Sequence, residues 1–427
     1  MTRRNVVLVT YDSLRADHCG YMGYGRDTTP NLDQLAQEGV GFTNAISPAS
    51  RTNPSMAGIF TGEPMVVRDQ VADAEHARRH LARYGTLAEG LSERGYATGA
   101  FCPNAYASRH YGFDRGFDQF EDFLFSNDRY QDVFRKHLSD SGLYTLVRNF
   151  RNYLRREEAF KTWDRYIDEI EEWVHAQSEP FCLWVFSLDT HFPHLTPRKY
   201  REWSSLFEQY YYNWRCNQLI DDLDPDLSER DKRKIINIYD DSVRFGDVLL
   251  AELQDRLSEF DPVYVIFGDH GEAFGERDIY GHFYPALYEE NINVPFVVSE
   301  SVPGIDDPTR PLSLTQLPAI VDQFTDGPDD PDPGHWAMAT DYDGRTDRNL
   351  IAVRTKGAKQ IVTWQDGGSA TEETYDIRGQ TAEDTPLPAD DPLHECLNTL
   401  VYRRHDHEEE LLGIRSVASD VTENQRV

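Results

Sequence analysis

The adjacent pair Asp269 and His270 follows an apolar run, VYVIF (residues 263–267), and a glycine, Gly268. Side chains of a strand alternate between faces, so a chain that leaves the pleat at a glycine can aim both residues at one point. Asp12 ends another apolar run, NVVLV (5–9). Together the three form a mixed oxygen and nitrogen donor set suited to Ca, Mn, Mg or Zn, and ligand type leaves the ion open. The plainer account, a helix-capping Asp beside a surface His, is outweighed by the polar residues at the other strand ends. Thr52 lies in SRTNPSMAGIFTG (50–62), where Pro54 suits the first helical position and sets Thr52 and Asn53 just before a helix N-terminus. Free backbone N–H groups and the helix dipole favour an anion there. A hydroxyl at that point, itself on a metal, can ionise and attack sulfur or phosphorus. Taken alone, the local sequence favours a plain helix cap at Thr52 or Asn53.

Such residues need a sheet to bring them together. Five short apolar runs, NVVLV, YATGAFC (96–102), FCLWVFSL (181–188), VYVIF and VPFVV (294–298), suit buried parallel strands. Helical patterns lie between them. They include TTPNLDQLAQEGV with Pro30 near its start and Gly39 at its end, LAEGLSERGY (87–96), and residues 232–257. This alternation predicts an α/β fold with a large, mostly parallel central sheet flanked by helices. In open parallel sheets, ligands gather beyond the carboxyl ends of the strands. There the chain places Asp12, Asn104, Asp189 with His191, and Asp269 with His270.

The segment TDGPDDPDPGHW (325–336) reads as a break. It divides an expected catalytic domain, 1–325, from a small α+β subdomain, 336–427. The first contains a helical insertion at about 120–178 of unassigned role. In the second, NLIAVRT and KQIVTWQ look like paired antiparallel strands, followed by a helix near 390–403.

The net charge of −31 repels nucleic acid and anionic membranes, so a nucleic-acid partner is not expected. Only seven of the 43 basic residues are Lys, and this acidic, Lys-poor composition reads as adaptation to high salt. Five cysteines without CxxC or zinc-type spacing fit reduced thiols. The opening residues lack a signal-peptide core, and no run nears the ~20 apolar residues that span a bilayer. A cytoplasmic protein without stable membrane insertion is expected.

The stretch NVVLVTYDSLRADHCGYMGYGRDTTPNLDQLAQEGVGFTNAIS (5–47) resembles the opening of sulfatases, members of the alkaline phosphatase superfamily. The likeness continues in PSMAGIFTG, GYATGAF, the HFP of DTHFPH and FGDHGEAFGERDIYGHFYPALYEENINVPF (267–296), and at the end in KQI and ETYDI. It implies an ester hydrolase acting on a small-molecule, glycan or lipid ester, with a small C-terminal antiparallel sheet. Asp12 matches the first metal-binding Asp, and Asp269 and His270 match the second ligand pair. Ser13 stands where many sulfatases have another Asp. His191 matches a His that contacts the ester and protonates a leaving group, and His282 a Lys or His that touches the transferred group.

The departures concern the nucleophile. Thr52 occupies the position of the Cys or Ser that sulfatases convert to formylglycine, and a secondary alcohol cannot become an aldehyde, so no formylglycine is expected. Met56 replaces the Arg of that motif, and Asn104 lies near a missing Lys and His. A Thr nucleophile with an oxyanion-binding Asn resembles the phosphodiesterase branch of the superfamily; a Thr with one metal resembles phosphoalkyl transferases. Arg51 is a further candidate anion contact. The rival from another class is a binding protein that keeps the fold without catalysis. Asp17, His18 and the DHEEE run near 406 read as structural or solvated.

Overall fold

The computed structural model describes residues 3–66, 74–123, 161–220, 227–365, 369–378 and 383–424. Its strands are β1 (Val6–Tyr11), β2 (Val40–Phe42), β3 (Ala45–Ile46), β4 (Ala97–Phe101), β5 (Gln119–Glu121), β6 (Phe181–Ser187), β7 (Val263–Gly268) and β8 (Ala273–Phe274). There follow β9 (Tyr280–Gly281), β10 (Phe296–Val298), β11 (Leu312–Ser313), β12 (Trp336–Asp343), β13 (Arg348–Thr355), β14 (Ala358–Gln365) and β15 (Ala370–Asp376).

Seven strands form the main sheet in the order β2-β10-β7-β1-β6-β4-β5. Strand β1 runs parallel to both β6 and β7 at its centre, and every residue of it is buried. The apolar runs are buried on both faces because helices cover both. Val6 and Leu8 join a core that includes Met56, Ala57, Ile59 and Phe60 of the helix Thr52–Thr61. Val7, Val9 and Tyr11 point the other way, into a core with Ile235, Ile238, Tyr239 and Phe245 of the helix Glu229–Arg256. The VPFVV run corrects the parallel expectation: β10 is antiparallel to β7 and β2. Chain direction cannot be read from an apolar run, which only reports burial.

The C-terminal sheet is a consecutive antiparallel meander, β12-β13-β14-β15. One face packs Ile351, Val353, Val362 and Trp364 against Leu397 and Val401 of the helix Leu393–Asn424. The other packs Ala337, Ala339, Leu350, Ala352 and Ile361 against Ile46, Leu287 and Ile292. Most of the expected insertion at 120–178 lies outside the described residues, although Ile167–Ala176 is helical. Among the described residues, no helix is long and apolar enough to cross a membrane.

Candidate active site

Register explains why the strand-end residues meet. Tyr11 of β1 lies level with Ser187 of β6 and Gly268 of β7, so the next residue of each strand emerges at one edge. Asp12 N donates to Ser187 O at 3.0 Å, and Asp269 N donates to Tyr11 O at 3.3 Å. Asp12, Asp269 and His270 are buried and offer ligand atoms all within 4.8 Å of one another. Gly268 is required for space: a Cβ there would lie 2.8 Å from Leu14 O. A Cβ at Gly271 would lie only 2.1 Å from Glu290 O, so glycine alone lets the chain turn beneath the site.

Ser13, the position of the missing carboxylate, has a different task. Its φ of 60° is in the left-handed region, uncommon for a residue with a Cβ. This conformation turns Ser13 N to donate to Asp269 Oδ1 at 3.1 Å, while Ser13 Oγ donates to Asp12 Oδ1 at 2.9 Å. The residue therefore ties the two carboxylates together.

Burial, reinforced by neighbouring Asp12, pushes the Asp269 carboxyl well above the usual range. Asp269 Oδ2 is buried without a hydrogen-bond partner. His270 Nδ1 lies 2.8 Å from Gly271 O, so that nitrogen carries the proton and Nε2 presents its lone pair to the carboxylates. Nε2 is 3.6 Å from Asp12 Oδ1 and 3.5 Å from Asp269 Oδ2. Burial first, then proximity to His282, holds the His270 imidazole down at about 4. Two crowded carboxylates, one orphaned oxygen and a neutral imidazole fit a divalent cation, for which Asp12, Asp269 and His270 would be ligands.

Thr52 is the first residue of its helix and Pro54 the third, so the helix begins two residues before the position expected from Pro54. Neither Thr52 nor Asn53 is the capping residue; Arg51 is, with extended backbone. Thr52 Oγ1 lies 3.2 Å from His270 Nε2, and its hydroxyl also reaches the Asp269 carboxyl.

The other expected residues divide. His282 is buried, with its ring centroid 4.5 Å from that of His270 and 5.1 Å from that of His191. His282 Nδ1 contacts Glu272 Oε2 at 2.9 Å. Burial opposes charge on His282, yet the Glu272 carboxylate outweighs it and raises the pKa above the ordinary value. Burial likewise opposes the Glu272 carboxylate, but His282 brings its pKa down to about 2. His191 stands beside this pair with Nδ1 on Phe192 O.

Asn104 Nδ2 donates to Asp12 Oδ2 at 2.5 Å and its Oδ1 accepts from Tyr106 N, so it orients a carboxylate of the candidate metal site. Arg51 reaches Asp341 and Tyr342 O of the C-terminal sheet. Asp189 faces away, accepting from Ser187 Oγ and Trp163 N. His18 binds Asp240 and Asp17 pairs with Arg15, as expected of a structural loop. Glu408 of the DHEEE run is instead buried, contacting Asn349 and Arg404. The residues not anticipated are Glu272 and Asp341, together with Ser47 and Ser55, whose hydroxyls both donate to Asp269 O at 2.5 Å. Glu272 carries a local signal, since it completes FGDHGE; Asp341 carries none.

Solved structures share this α/β fold over nearly the whole chain. A 2-O GAG sulfatase superposes with TM-score 0.66 at 17% identity, covering 96% of this chain and 92% of its own. The phosphonate monoester hydrolase of Agrobacterium radiobacter superposes with TM-score 0.61 at 17% identity, covering 97% and 96%. The family model described as Sulfatase matches residues 4–302, and the chain belongs to the sulfatase family. The ulvan-active sulfatase of Formosa agariphila is 26% identical over 331 residues, 71% of this chain and 57% of that protein. This chain thus spans little more than half the length of that relative.

Proposed function

We propose that the protein is a hydrolase of sulfuric or phosphoric esters in which Thr52 is the nucleophile. The observation that carries this reading is Thr52 Oγ1 held 3.2 Å from His270 Nε2 within the buried Asp12, Asp269 and His270 cluster. A bound divalent ion would supply Lewis acidity, lowering the hydroxyl pKa and neutralising ester oxygens. Thr52 Oγ1 gives its proton to solvent water and attacks sulfur or phosphorus, and the ester's alcohol departs as the new bond forms. His282, with Nδ1 fixed by Glu272, donates a proton from Nε2 to the departing oxygen, and His191 beside it shares that role. Water then attacks the threonyl ester, releasing the acid and restoring the Thr52 hydroxyl.

Charge narrows the substrate. Among the described residues, Arg51 beside Thr52 is shared with Asp341, and His282, whose ring lies against His270, is held by Glu272. That balance favours esters with one negative charge at the reacting centre: sulfate monoesters, phosphodiesters or phosphonate monoesters. Exposed Tyr106 and Phe283, the latter stacked on His282, offer apolar faces to the alcohol portion. Five unpaired cysteines support a reducing, cytoplasmic setting, and the acidic composition supports a salt-rich one.

The test is a panel of aryl sulfate, aryl phosphate, bis-aryl phosphate and aryl phosphonate, assayed with Mg, Ca, Mn or Zn. The expected outcome is turnover of at least one singly charged ester, abolished by chelator and restored by one ion. Thr52→Ala is expected to lower kcat by about 10³-fold or more. Full activity of Thr52→Ala would remove Thr52 as nucleophile, and indifference to chelator would remove the metal.

A further inference from the structure

Building on Thr52 as nucleophile, we infer that Asp341, carried by the C-terminal sheet, is a positioning residue for Thr52. Asp341 lies on β12 and is 1% exposed. It approaches the turn that delivers Thr52 into its helix. Asp341 Oδ2 accepts from Ser50 N at 3.2 Å, from Ser50 Oγ at 2.7 Å and from Arg51 Nε at 3.3 Å. Asp341 Oδ1 accepts from Arg51 Nη2 and from Tyr342 N. One carboxylate therefore grips both residues that precede the nucleophile, and its Arg51 contact is the two-pronged fork that fixes direction as well as distance.

Neighbouring contacts extend the grip. Thr340 N donates to Pro48 O at 2.9 Å, and Arg51 Nη2 donates to Tyr342 O at 2.9 Å, so β12 is laced to the segment 48–51. Ser50 Oγ also accepts from Ala286 N at 3.4 Å, and the Arg345 guanidinium lies 4.5 Å over the Tyr284 ring. Ala286 and Tyr284 belong to the loop that carries His282. The hairpin of β12 and β13 thus contacts both the nucleophile turn and the loop of the proton donor.

Burying a carboxylate is expensive unless it is paired. A charge kept there for sheet stability would be expected to find partners within its own sheet. Four of the five contacts above come from Ser50 and Arg51 instead. Arg51 has extended backbone, φ −143° and ψ 151°, and Thr52 begins the helix directly after it. A shift in that turn therefore swings Thr52 Oγ1 away from its place beside His270.

The experiment compares the full chain with Asp341→Asn, which keeps shape and removes the charge. Amide exchange over residues 48–55 is expected to rise about tenfold or more, with Mn affinity within about twofold and the thermal midpoint nearly unchanged. On the ester that the parent chain turns over best, kcat is expected to fall about 10- to 100-fold with KM within about threefold. Should Asp341→Asn not fold, Arg51→Lys keeps the charge but loses the fork and is expected to show the same pattern more weakly. Unchanged exchange over 48–55 overturns the inference, as does a kcat loss matched by an equal loss of Mn affinity. If the parent chain turns over no ester, the proposed function falls, while the exchange measurement still decides the role of Asp341.

Discussion

A single buried imidazole sets one limit on this protein's stability. His194 is 2% exposed, its backbone N donates to Asn213 Oδ1 and its ring contacts Ser242 Oγ. Burial holds its pKa down at about 4, against 6.5 for the unfolded chain. Between those values the unfolded chain binds the proton and the folded chain does not, so stability falls as pH drops through that window. About 2 kcal/mol should be lost between pH 7 and about pH 5 from this residue. His194→Gln is expected to reduce the slope over that part of a pH series of urea midpoints, His270 sharing the same window; an unchanged slope would exclude His194 as a source. The Glu272 and His282 pair shows the opposite balance, in which a close partner outweighs burial and keeps both charges.

At the scale of elements, the junction between the two sheets is held by buried charge as well as apolar contact. Lys359 of β14 is fully buried, 3.0 Å from Glu289 Oε1 and 2.6 Å from Glu383 Oε1. Arg354 of β13 also reaches Glu289 at 3.0 Å, and Arg277 bridges Glu290 and Glu383. Removing one member strands the others without water. Lys359→Met is expected to cost about 3–5 kcal/mol in denaturant unfolding, although the methionine nearly fills the space. A loss below about 1 kcal/mol would mean that the cluster relaxes to solvent. The same junction carries Asp341, so the meander supports the site as well as completing the fold.

Across the whole molecule, the charge of −31 means that the folded state works against its own repulsion. Raising ionic strength from about 0.1 M to about 1 M shortens the screening length from about 10 Å to about 3 Å. The thermal midpoint is therefore expected to rise over that range. A fall would mean that surface ion pairs, which salt weakens, outweigh the net repulsion.

Much of the site is legible in the amino-acid sequence. Asp12, Asp269 and His270 follow apolar runs, and parallel strands in register must deliver their following residues to one edge. Thr52 is legible as a hydroxyl near a helix start, and NLIAVRT and KQIVTWQ as two paired strands of the C-terminal sheet. Other features depend on partners far apart in the chain. The antiparallel direction of β10, the use of Asn104 on Asp12, and the diversion of Arg51 to Asp341 leave no local pattern. Residue type and strand periodicity are local properties, so the chain alone specifies which groups could do chemistry. Which of those groups face one another is settled in three dimensions, because Asp341 and Arg51 are separated by 290 residues and meet through packing alone.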